Sequence, residues 1–179
     1  MDEKALRVEL EKHHREGFLW ALNCCSQNPI AAEDVLQKVY VKILAGRARF
    51  GGRASFKTWL LALIRNTAAD HWREENRHQA KLTKYGQTGE ISPPIERPDE
   101  LLERGQIHAA LAQALSALAG RQQQVARLVF YHDLSLSEAA EVMGISIGSA
   151  RTHYERGKEQ LRKFLEATKV FDATEFRRE

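Results

Sequence analysis

The 179-residue sequence predicts an all-α protein made of two small helical domains joined by a flexible linker. Three observations carry that prediction. Apolar residues recur at spacings of three and four on both sides of the middle: Leu36, Val39, Tyr40, Ile43 and Leu44 before it, Leu111, Leu115, Leu118, Val125, Leu128 and Val129 after it. Three of the four prolines, Pro93, Pro94 and Pro98, fall together with Gly86 and Gly89 in "KLTKYGQTGEISPPIERPDE", a stretch without helical period. Alternating strand patterns and repeats of 20 to 50 residues are absent.

The elements follow in order. Helices are expected near residues 3–27, 31–45 and 55–77, with Pro29 punctuating the first pair and "GRARFGGRAS" the second. Residues 1–78 then form the first domain and residues 79–105 the linker. The second domain, residues 106–169, carries helices near 100–118, 121–132, 136–143 and 147–168, and residues 170–179 are left as a tail.

Bulk properties narrow the class. A formal charge of +3 and a pI near 8.9 permit a polyanionic partner without demanding one. The only cysteines, Cys24 and Cys25, are adjacent and form no disulfide framework, so a reducing, cytoplasmic compartment is the expectation. The charged start "MDEKALRVELEKHHREGFLW" lacks the apolar core of a signal peptide, and no run is long enough to span a bilayer, so no membrane insertion is expected.

The stretch "LSLSEAAEVMGISIGSARTHYERGKEQLRKFL" carries the sharpest local signal. Ser135 and Glu138 have the spacing of a capping box, Gly144 stops the short helix, and Ser146 is placed to cap the next. So short a turn forces two helices to cross steeply, as in a helix-turn-helix. On the second helix Ala150, Tyr154, Gly157, Leu161 and Leu165 share one face, while Ser149, Arg151, Thr152, His153, Glu155 and Arg156 occupy the rest. From Ser146 to Lys169 there are six basic residues against three acidic. Short hydroxyls and Arg forks on a helix that fits the major groove suit phosphates and base edges, and with the turn chemistry this reading is preferred over a merely solvated face.

In the first domain, "AEDVLQKVYVKILAG" puts Asp34 and Gln37 one turn apart opposite Leu36, Val39, Tyr40 and Ile43, a pair suited to docking against another helix. A capping carboxylate near a helix start accounts for Asp34 equally well. In "FKTWLLALIRNTAADHWREENR", Trp59, Leu63, Asn66, Asp70, Arg73 and Arg77 step by three and four, and Phe50 lies upstream in "RARFGG". Between Arg47 and Arg77 seven basic residues face three acidic. Basic groups interleaved with aromatics suit an unstacked single strand, because rings stack on bases while Lys and Arg neutralise phosphates. Composition alone favours the plainer alternative, in which Phe50 and Trp59 are core and Asp70 pairs with Arg73 or Arg77.

The ordered set "AEDVLQKVY", "FKTWLLALIRNTAADHWR", a proline-bearing spacer and "LSLSEAAEVMGISIGSAR" resembles the bacterial extracytoplasmic-function sigma factors of the sigma-70 family, over residues 10 to 165. The resemblance implies that the first domain (region 2) binds a coiled coil of the RNA polymerase core and opens the minus-ten promoter element. The second (region 4) would dock on the flap and read the minus-thirty-five element, the core subunits concerned being beta and beta-prime. By the same resemblance Asp34 and Gln37 look like the polymerase-docking pair. Phe50, Trp59, Leu63, Asn66, Arg73 and Arg77 look like the minus-ten DNA-binding set, with Phe50 and Leu63 walling a pocket for a flipped-out base beside Asn66. Ser149, Arg151, Thr152, His153, Glu155 and Arg156 fall where the family's recognition helix faces the minus-thirty-five groove. Ala119-Gly120 stands where the family commonly has proline. Members are commonly held inactive by an anti-sigma factor, and promoter DNA is the shared target.

Other chemistry is set aside. His13, His14, Cys24 and Cys25 are too far apart along a helix to share a metal, and vicinal cysteines there read as small buried apolar groups, a redox role staying open. No nucleophile accompanies His132-Asp133, no glycine-rich phosphate loop exists, and neither a cofactor nor an enzyme activity is expected. A stand-alone helix-turn-helix regulator that binds duplex DNA without polymerase is the rival class, and a module whose basic stripe meets an acidic protein is a third.

Overall fold

The computed structural model describes residues 3–84 and 113–167. Every regular element among them is α-helix. The chain divides into two compact units, Met1–Glu96 and Arg97–Glu179. Most of the expected linker and all of the expected tail lie outside the described residues, as does the expected helix near 100–118 up to residue 112.

The first unit contains α1 (Glu3–Lys12), α2 (His14–Cys24), α3 (Pro29–Leu44) and α4 (Phe56–Lys84). The single helix expected over 3–27 is two. The chain turns at His13, although the ladder bonds His13 N to Glu9 O and Gly17 N to His13 O persist across the join. It ends at Cys24 because Ser26 and Gln27 take left-handed φ values of 52° and 63°, which no helix continues. Asn28 then caps α3, its side-chain oxygen accepting from Ile30 N and Ala31 N, with Pro29 at the first helical position where its missing N–H costs nothing. The cap is therefore Asn28 and not Asp34, which removes the capping explanation of that carboxylate.

Helices α2, α3 and α4 enclose a core of Trp20, Val35, Val39, Leu60, Leu61 and Ile64, all essentially inaccessible. Trp20 satisfies its one polar group by donating Nε1–H to the Leu61 carbonyl at 3.0 Å, and Trp72 does the same to the Cys24 carbonyl at 3.1 Å. A Cβ on Gly17 would stand 3.2 Å from Ile64 Cδ1, so α2 and α4 pack tightly there and a larger residue would push the Ile64 side chain aside. Leu44, grouped with the core residues on spacing, is 54% exposed. Eight residues beyond Leu36 it has drifted off the buried stripe, because 3.6 residues make a turn. Ser55 caps α4, accepting from Thr58 N at 3.1 Å. The helix runs on to Lys84 where periodicity placed its end near 77, since "REENRHQAKLTK" contains no glycine or proline to stop it.

The second unit contains α5 (Gly120–Phe130), α6 (Leu136–Met143) and α7 (Ile147–Ala167), preceded by helical residues 113–116. Ala119, at the start of α5, makes no side-chain cap bond. Ala114, Leu115, Leu118, Ala126 and Leu161 form one cluster, and Val125, Leu128, Ala139, Val142 and Ala150 are also buried. The capping box of α6 is complete: the Ser135 hydroxyl accepts from Glu138 N while the Glu138 carboxylate accepts from Ser135 N at 2.9 Å. Gly144 ends α6 at φ 63°, and Ser146 accepts from Ser149 N at 3.1 Å to start α7. Three residues thus separate the helices, as the sequence predicts.

Candidate functional site

Three surfaces hold the residues singled out by sequence. On α3, Asp34 is the sixth helical residue. Its Oδ2 is 2.7 Å from Lys38 Nζ and 3.4 Å from His71 Nδ1 of α4. Gln37 is exposed beside it and borders a groove lined by His14, Phe18, Glu33, Leu36 and Tyr40. Within that groove His14 Nδ1 and the Tyr40 hydroxyl are hydrogen-bonded at 2.9 Å.

The same face of α3 carries residues that sequence reasoning missed. Ile30 is 77% exposed, Val41 60% and Leu44 54%. With Asp34 and Gln37 they fall at positions 30, 34, 37, 41 and 44, a 4-3-4-3 spacing that lays one straight seam along the helix. The signal was in the sequence, superposed on the inward stripe of Ala32, Val35, Leu36, Val39 and Ile43, which drew all the attention. Apolar side chains outside, interrupted by a carboxylate and an amide, are what a helix needs to pack against another helix carrying basic or amide groups.

The second surface is the loop between α3 and α4 with the outer face of α4. Phe50, Phe56 and Trp59 form an aromatic trio, with ring centroids 5.5 Å apart for Phe50–Phe56 and Phe50–Trp59 and 5.3 Å for Phe56–Trp59. His13 extends it by stacking on Phe56 at 6.1 Å. Phe56 is buried, whereas Phe50 and Trp59 are half-buried, each leaving part of a ring at the surface. The His13–Phe56 contact joins distant parts of the chain, so no local spacing signals it, whereas Phe56 lies only three residues from Trp59 and six from Phe50. Further along α4, Leu63 is half-buried, Asn66 is exposed, and Arg73 and Arg77 are exposed beyond it. The plainer reading holds for one pair: Arg73 Nη1 is 2.6 Å from Asp70 Oδ1. Both groups are more than half exposed, so the pair is screened and exchangeable. Arg77 Nε donates to the Arg73 carbonyl. The base of the surface is held by Lys57 Nζ, 2.9 Å from Glu16 Oε1. Burial raises the Glu16 carboxyl, and the hydrogen bonds from Lys57 and His13 outweigh it, leaving Glu16 below the ordinary carboxylate range.

The third surface is α7. Ala150, Gly157 and Leu161 are buried against the unit, and a Cβ on Gly157 would lie 3.5 Å from Gln122 Cβ. Tyr154 packs on Phe130 at 5.8 Å with Lys158 Nζ 5.9 Å above its ring. Ser149, Arg151, Thr152, Glu155 and Arg156 are exposed, and His153 is half-buried. The Thr152 hydroxyl donates to the Gly148 carbonyl at 3.0 Å, and the Ser146 and Ser149 hydroxyls are 2.9 Å apart. The start of α7 thus has its cap satisfied and Ser149 and Arg151 facing solvent, the geometry that a helix needs to enter a major groove.

Comparison with known proteins identifies the family of both units. Residues 10–78 match the family described as Sigma-70 region 2, and residues 114–163 match Sigma-70, region 4. The ECF RNA polymerase sigma factor SigX of Bacillus subtilis (strain 168) is 32% identical over 136 residues, covering 75% of this chain and 70% of that relative. The chain belongs to the sigma-70 family. It is an RNA polymerase sigma factor of the extracytoplasmic-function kind. The RNA polymerase sigma factor YlaC of the same organism is 30% identical over 133 residues, covering 74% of this chain and 76% of that relative. Among solved structures, the sigma factor RpoE in complex with the anti-sigma factor NepR from Bartonella quintana matches with a TM-score of 0.70 at 22% identity, over 91% of this chain and 98% of that one. CnrH in complex with the cytosolic domain of CnrY matches with a TM-score of 0.61 at 18% identity, over 93% and 90%. These two show the shared all-α fold. Membership of the family disfavours a stand-alone duplex-binding regulator, and no described helix is long and apolar enough to cross a membrane.

Proposed function

We propose that this sigma factor works through three surfaces: the α3 seam docks on the polymerase core, the aromatic trio with Asn66, Arg73 and Arg77 holds melted minus-ten DNA, and α7 reads the minus-thirty-five duplex. The observation that carries the docking role is the straight outer seam of Ile30, Asp34, Gln37, Val41 and Leu44, which suits one helix of a coiled coil. For the minus-ten role, half-exposed rings over a fixed aromatic base offer stacking surface to unpaired bases, and the neighbouring guanidinium groups meet phosphates. For the minus-thirty-five role, Ser149, Arg151, Thr152, Glu155 and Arg156 project from the exposed part of a capped helix, with His153 beside them.

Region 2 takes residues 1–78 in this reading, region 4 residues 106–169, and residues 79–105 connect them. The chain itself performs no catalysis and needs no cofactor; phosphodiester chemistry and its metal ions belong to the polymerase. It acts in the cytoplasm, where core and promoter DNA are. An anti-sigma factor is a further proposed partner, supported by the two structural neighbours, each of which was solved with a bound regulator.

Run-off transcription with purified core and a cognate promoter tests the reading. Core alone should give no specific transcript, core plus the chain should give one, and Asp34→Asn should weaken core association while preserving the melting temperature. Tight duplex binding without core, with no gain in initiation, would overturn it.

A further inference from the structure

We propose that His71 is a positioning residue for the docking carboxylate: from α4 it fixes Asp34 on α3 with one oxygen left for the polymerase. The inference rests on the docking role of Asp34 and adds a residue on a different helix, outside the seam itself. Asp34 Oδ2 receives Lys38 Nζ at 2.7 Å and His71 Nδ1 at 3.4 Å, and Lys38 Nζ and His71 Nδ1 are 3.5 Å apart. Both contacts to Asp34 fall on Oδ2. Among the described residues Oδ1 makes no ion pair.

Lys38 cannot fix the carboxylate alone. It lies one turn along the same helix, both partners are more than 40% exposed, and such a screened pair with a freely rotating ammonium holds little. His71 is placed differently. Its side chain is 19% exposed, its ring packs edge-on against Trp72 at 6.0 Å, and Trp72 is itself tied to the Cys24 carbonyl. The imidazole is therefore held through α4 and its tie to α2, independently of the helix that carries Asp34. As an acceptor, its Nδ1 takes a hydrogen bond from Lys38 Nζ and steadies that ammonium over Oδ2, and the ring itself stands within ion-pair distance of the same oxygen. Both neighbours stand against the same oxygen, which leaves Oδ1 for a group of the partner. A carboxylate already oriented loses less side-chain freedom when it meets a basic group of the partner.

The test measures affinity of the full chain for core polymerase by fluorescence anisotropy. His71→Asn keeps an amide where Nδ1 stands, whereas His71→Gln moves it to the Nε2 position and His71→Leu removes it. His71→Asn should bind like the wild type. His71→Gln and His71→Leu should bind about threefold to tenfold more weakly, the size expected for a contacting pair. Combined with Asp34→Asn, neither should weaken binding further, a result that a general packing role for His71 would not give. Wild-type affinity in His71→Gln and His71→Leu, or a loss undiminished on the Asp34→Asn background, would overturn the proposal. Wild-type affinity in Asp34→Asn would instead remove the docking role, and His71 with it.

Discussion

The ring of Phe50, carried on the loop before α4, lies 5.5 Å from the indole of Trp59 at an interplanar angle of 57°. Phe56, buried between the loop and the helix core, touches both. The loop ring is thus anchored on Phe56 at the start of α4, and one ring from the loop and one from the helix stay partly exposed. Such an arrangement keeps a stacking platform in place before any base arrives, so little ordering is needed on binding.

Phe50→Ala removes a half-exposed ring while Phe56 stays in the core. It should lower the yield of melted promoter complexes about tenfold, the loss expected for one base–aromatic stack, with core affinity unchanged. Permanganate reactivity of unpaired thymines, measured beside core binding, checks both halves.

Val41→Asp places a charge on the outer seam of α3, where Val41 is 60% exposed. The fold should tolerate it within about 0.5 kcal/mol, as most exposed positions do. Core affinity should fall by at least tenfold, because the new carboxylate would be buried against a partner helix without a counter-charge. Affinity and thermal unfolding of the same preparation decide the matter.

The helix-turn-helix was legible almost atom by atom, because its signals are local: Ser135, Glu138, Gly144 and Ser146 act within a turn of one another. The long-range features were not. Phe56 meeting His13, and Asp34 meeting His71, depend on how α2, α3 and α4 pack, and no spacing within one segment encodes that. The break at His13 also escaped notice, since the apolar rhythm continues through it and no proline or glycine marks it. The outer seam of α3 lay in plain view but under a stronger inward pattern.

Arg151→Ala deletes an exposed guanidinium in the second turn of α7. Discrimination between cognate and altered minus-thirty-five sequences should fall by about 1–3 kcal/mol if that fork meets a base edge. Competition binding by holoenzyme reads the ratio directly. An equal loss on all sequences would make Arg151 a phosphate contact.

Cys24 and Cys25 are free thiols, and burial pushes them up from an ordinary 9.0 to about 12 and about 11, the neighbouring thiol adding to the first and the Asp34 charge to the second. Near neutral pH both are protonated and poor nucleophiles, so alkylation of the native chain should be slow and should accelerate on unfolding. The sign for stability follows. The folded state binds these protons more tightly, so the contribution is intact below pH 9.0 and is lost as pH rises towards 11 and 12. Cys24→Ala with Cys25→Ala should flatten the alkaline limb of the stability profile measured by urea unfolding.

Photo-crosslinking on a fork-junction promoter bound to core tests the central claim most directly, with a photoreactive amino acid placed in turn at Phe50, Asn66 and Arg151. The account predicts that the first two label the unpaired minus-ten strand and the third labels only the paired upstream segment. Labelling of polymerase alone from Phe50 and Asn66, with no nucleotide adduct, would contradict it.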